Sequence, residues 1–133
     1  MAEYNRNAIF TKVKNAILTS YPSAYVTSVY DFAPPSFPCV FIRETGHRTP
    51  ANVQTFKNGQ DFWESTFQVQ IFCNSNNPMS EAYGIYDVIF NAFKSLFYLD
   101  IEGATPIDNA DSEIYRLTAT FRRPIGGGEQ MPN

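Results

Sequence analysis

The chain has 133 residues, enough for one domain with a real core. Hydrophobic residues make up 44 % and aromatics 16 %, which excludes a disordered chain. A net charge of −3 argues against a protein that coats nucleic acid through a basic surface.

Residues 4–20, YNRNAIFTKVKNAILTS, carry a helical period, with Ile9, Val13, Ala16 and Ile17 on one stripe and Arg6, Lys12 and Lys14 mostly elsewhere. Pro22 ends this helix, because the residue before a proline resists the helical region. Residues 24–32 and 37–44 read as strands from their β-branched and aromatic residues. In the second, Phe37, Cys39 and Phe41 share one face and Val40 and Ile42 the other, so both faces are expected to be covered.

Residues 45–61 are polar, and long for a connection. They are expected to form either a projecting loop or an extended hairpin turning at Asn58-Gly59. The clearest strand is 62–75, where Trp63, Phe67, Val69, Ile71 and Cys73 alternate with Glu64, Thr66, Gln68 and Gln70, and only Ser65 and Phe72 break the pattern.

A second helix is expected over 76–97, with Asn77 as N-cap and Pro78 at its first position. Its inward stripe is Ala82, Ile85, Tyr86, Ile89, Ala92, Phe93 and Leu96. A short strand at 97–103 and an acidic turn region lead to a last strand at 113–123. The predicted fold is α+β, with two helices packed on one face of a mostly antiparallel sheet. Residues 1–123 make the domain, and 124–133, PIGGGEQMPN, a flexible arm.

No catalytic constellation, metal site or cofactor site is expected. His47 is a lone histidine in the long connection, read as an exposed loop residue. Asp108-Asn109-Ala110-Asp111 lacks the glycine and the distal acid of a calcium loop and reads as a turn. The glycines of PIGGGE lack the Lys-Ser/Thr and the helix of a phosphate cradle. Glu81 and Asp87 fit a solvated helix surface. Cys39 and Cys73 sit in apolar runs and are expected to be buried free thiols. The start MAEYNRNAIF lacks a signal-peptide pattern and no apolar run suits a membrane helix, so a soluble product of a cytoplasm is expected. Arg122 and Arg123 must face opposite ways on a strand. The one on the core side needs a carboxylate or solvent, and the acids of 100–113, in this chain or in a neighbouring copy, are the two candidates.

One resemblance spans about residues 4–123. The strand FPCVFIRE, the strand–loop–helix run FWESTFQVQIFCNSNNPMSEAYGIYDVIFNAFKSL and the closing FYLDIEGATPIDNADSEIYRLTATFRR together resemble the tail-terminator, or tail-completion, proteins of long-tailed bacteriophages. The resemblance implies a noncatalytic virion protein forming a six-membered ring at the head-proximal end of the tail tube, ending tube polymerisation and meeting the head connector. Its implied partners are its own copies, the tail-tube protein and neck proteins, with DNA passing unbound.

Contacts around such a ring are head-to-tail, so extensions able to cross the joint are the expected interface: His47, Arg48, Asn52, Phe56, Lys57 and Asn58 in the long connection, and Arg122, Arg123 and Pro124 at the arm. A lumen that repels phosphate would be acidic, for which Glu64, Asp100, Glu102, Asp108 and Asp111 are the candidates. The alternatives are another neck ring, a tail-tube subunit, a small enzyme with a carboxylate site, or a module binding peptide at a sheet edge.

Overall fold

The computed structural model describes residues 6–29, 36–48, 62–101, 103–108 and 113–126. In chain order the elements are α1 (Arg6–Ser20), β1 (Tyr25–Thr27), β2 (Cys39–Arg48), β3 (Phe62–Cys73), α2 (Pro78–Ser95), β4 (Leu99–Asp100), β5 (Thr105–Ile107) and β6 (Tyr115–Gly126). The strands form one sheet in the order β1-β2-β3-β6-β4, with β5 also paired to β6. Only β1 and β2 are parallel; every other pair is antiparallel. The α+β architecture is as the residue patterns predict.

Both helices lie on one face. The stripe Ile9, Val13 and Ile17 of α1 and the stripe Ala82, Ile85, Ile89 and Phe93 of α2 are buried in one cluster with Val40, Ile42, Phe67, Val69, Ile71, Leu117, Ala119 and Phe121 of the sheet. Each buried Ile, Leu or Phe contributes roughly 1.5–3 kcal/mol before chain entropy is charged. The helices divide the sheet between them: α1 packs on β2 and α2, and α2 packs on β3, β6 and β4. On the other face of β2, Cys39 and Phe41 bury a small second cluster with Phe72, so β2 is apolar on both faces as its residues suggest.

The two exceptions in β3 each have a structural reason. Phe72 turns to the open face, where its ring meets Phe41 edge-on at 5.6 Å and lies under the Arg116 guanidinium. Ser65 keeps the core parity and is fully buried. Its hydroxyl accepts from Tyr98 Oη at 2.8 Å and donates to Glu44 Oε2 at 3.0 Å. A polar hub thus crosses the helix-covered face of β2 and β3, its hydrogen bonds made within the fold.

Several boundaries differ from the sequence reading. Helix α2 ends at Ser95 rather than 97. The Tyr98 amide donates to the Phe93 carbonyl and the Phe97 amide to the Lys94 carbonyl, a Schellman closure. It places Phe97 at φ 67°, a position that glycine usually takes. Asn77 stands at the N-cap without a side-chain capping bond; Pro78 occupies the first turn as expected. The expected strand at 97–103 shrinks to β4, and β5 is a strand the sequence reading leaves inside the acidic turn.

The largest correction concerns Pro124. The sequence reading stops the last strand at Arg123, yet β6 runs to Gly126, with Pro124 opposite Glu64 and Gly126 opposite Phe62. The Thr120 carbonyl accepts from the Ile101 amide on the β4 side, so by alternation position 124 directs its backbone to that side too. Strand β4 pairs only as far as Leu99 with Arg122, so the amide that proline lacks has no partner strand to meet. The rest of the expected arm, 127–133, lies outside the described residues. The extended-hairpin alternative holds for the base of the long connection: β2 continues past an irregularity at Glu44–Gly46 to pair Arg48 with Glu64.

Gly84 marks where the α1–β1 connection touches α2. A Cβ there would stand 2.4 Å from Tyr21 Oη, with the next ring carbon at 3.6 Å. Gly84→Ala is expected to lose a net of about 1 kcal/mol in urea unfolding, overpacking outweighing alanine's better helix propensity. Tyr21→Phe in the same chain removes the clashing oxygen and should recover that loss. A double variant no better than Gly84→Ala would mean that the hydroxyl is not the obstruction.

Candidate functional site

Among the described residues no group of three or more His, Cys, Asp or Glu is placed to hold a metal ion, and no helix is long and apolar enough to cross a membrane. Cys39 and Cys73 are buried free thiols. Burial, aided by Glu81, pushes the Cys73 thiol well above its ordinary range, so it stays protonated. The sheet presents an open face opposite the helices and two edges, β1 and β4–β5.

On β6 the paired arginines separate as alternation requires. Arg123 takes the helix side and is only 7 % exposed. Its Nη1 donates to the Leu96 carbonyl at 2.9 Å, and the guanidinium lies over the Phe97 ring at 5.4 Å. It is a cation on the negative end of α2. Burial lowers its pKa from the ordinary arginine value. Of the expected interface residues, this one has its place inside the subunit, on a backbone carbonyl that the sequence reading did not weigh.

Arg122 takes the open face, where Nε lies 3.7 Å from Glu64 Oε1 and 3.4 Å from Thr66 Oγ1. Further along the same face, Arg116 donates through Nε and Nη2 to Gln70 Oε1 at 3.1 and 2.6 Å, and Arg43 reaches Gln68 Oε1 at 3.5 Å. An amide oxygen orients a guanidinium without cancelling its charge. The open face thus carries Arg43, Arg116 and Arg122 beside Glu64, within a chain of net charge −3. Glu64, expected as part of an acidic lining, stands among arginines.

Asp100 is likewise held within the chain. Its carboxylate accepts from the Tyr86 hydroxyl and, at 2.8 Å, from the Gly103 amide, where Gly103 turns at φ 76°. Burial and then that carboxylate push the Tyr86 phenol well above its ordinary range. The pair ties α2 to the β4–β5 turn. Asp108 is exposed, just after β5.

The edge formed by β4 and β5 is unlike the rest of the surface. Phe97 is 74 % and Leu99 71 % exposed, and Ile101 and Ile107 are exposed as well. These are four of the six large hydrophobic residues exposed among the described residues, Val29 and Met79 being the others. Sequence reasoning missed this strip because Tyr98, between Phe97 and Leu99, is also apolar and is buried. With both parities apolar, nothing in FYLDI says which one faces out. The exposed acids around the segment were its only legible sign.

Strand β2 carries His47 opposite Ser65 and Arg48 opposite Glu64, so His47 is a strand residue rather than the loop residue expected, because the β2–β3 ladder runs on past Gly46. Pro124 is exposed on β6. Asn52, Phe56, Lys57, Asn58, Glu102 and Asp111 lie outside the described residues. The structure thus brings Arg48, Glu64, Arg122 and Pro124 to one end of the β2–β3–β6 ladder and places Asp100 and Asp108 on the far edge.

No protein-family model matches the chain, and no curated protein matches it in sequence. In fold it is similar to a chain in the structure of the virion of a native gene transfer agent particle. The TM-score is 0.64 at 10 % sequence identity, and the match covers 92 % of this chain and 94 % of that one. The likeness is therefore one of whole-domain architecture.

Proposed function

We propose that the chain is a noncatalytic virion protein that forms a ring at the head-proximal end of a phage-type tail tube, ending tube polymerisation and joining the tail to the head connector. The observation that carries this reading is the likeness in fold to a chain of a virion structure, which spans nearly the whole of both chains. The build of the subunit supports it. A ring of identical copies needs two unlike surfaces on each copy, one for each neighbour. The sheet ends in two unlike edges, a short β1 beside α1 and an apolar β4–β5 strip. Its partners in this role are other copies of itself, six in the ring, the tail-tube protein and the neck proteins, with DNA passing through unbound.

Light scattering on the purified chain, followed by negative-stain imaging after mixing with tail tubes, tests the reading. Closed rings near six times the 15.1 kDa chain mass, seated on one end of each tube, are expected. Long tubes grown from this protein alone would make it a tube subunit. A strict monomer that leaves tube ends bare would refute the reading.

A further inference from the structure

We draw no further inference here: the strongest candidate, the exposed apolar edge that Phe97, Leu99, Ile101 and Ile107 form around β4 and β5, carries none because nothing in the structure shows what covers it.

Discussion

Phe93→Ala is expected to lower folding stability by about 3–5 kcal/mol, the range for removing a large aromatic from a packed core. Phe93 is fully buried at the point where α2 meets the sheet. Its ring stacks on Phe121 at 4.5 Å between centroids and meets Tyr98 at 5.2 Å and Phe67 at 5.6 Å. Truncation therefore opens a hole bordered by three rings on three separate elements, β3, β6 and the α2–β4 connection. No single element can move in to fill it without disturbing the others. Single domains are stable by about 5–15 kcal/mol in total, so the variant should unfold at a markedly lower urea midpoint. Phe93→Leu keeps part of the volume and should lose less. A midpoint unchanged by Phe93→Ala would mean that the aromatic cluster is not the centre of the fold.

Arg123→Met is expected to lose about 2–3 kcal/mol, the range for a hydrogen bond to a charged group with a contribution from the helix end. Methionine keeps the length and much of the apolar stem, so the variant isolates the guanidinium. What disappears is the donor to the Leu96 carbonyl and the cation beneath Phe97. That cation helps hold α2's closing turn, in which a phenylalanine rather than a glycine occupies the left-handed position. Removing the buried charge also removes its desolvation cost, which is why the net loss is smaller than for Phe93. Arg123→Lys should fall between, since a lysine keeps the charge but not the planar fork. Equal stability of all three chains would show that the guanidinium does not cap α2. A loss of ring formation with no loss of stability would return Arg123 to the interface.

The parts of the fold legible in the sequence are those with a strong period. Alternation in β3 and the apolar stripe of α2 each involve many residues facing one core, so a misread residue changes little. The parts that were not legible depend on pairing partners. Whether Pro124 ends β6 turns on where β4 stops on the neighbouring side, which no local pattern records. Strand β5 has only three residues, too few for alternation to show. For Arg123 the sequence suggests a carboxylate or solvent, and a backbone carbonyl at a helix end has no signature in composition. The same limit applies to the β4–β5 edge. Its apolar residues are plain in the sequence, but only the folded sheet leaves Phe97, Leu99, Ile101 and Ile107 exposed together.

The most direct measurement of the central claim is the length of tails made with and without this protein. In a host producing all other particle components, electron micrographs should show tails of one length joined to filled heads when the chain is supplied. When it is withheld, they should show over-long or unjoined tails. Normal tails attached to filled heads in its absence would contradict the account.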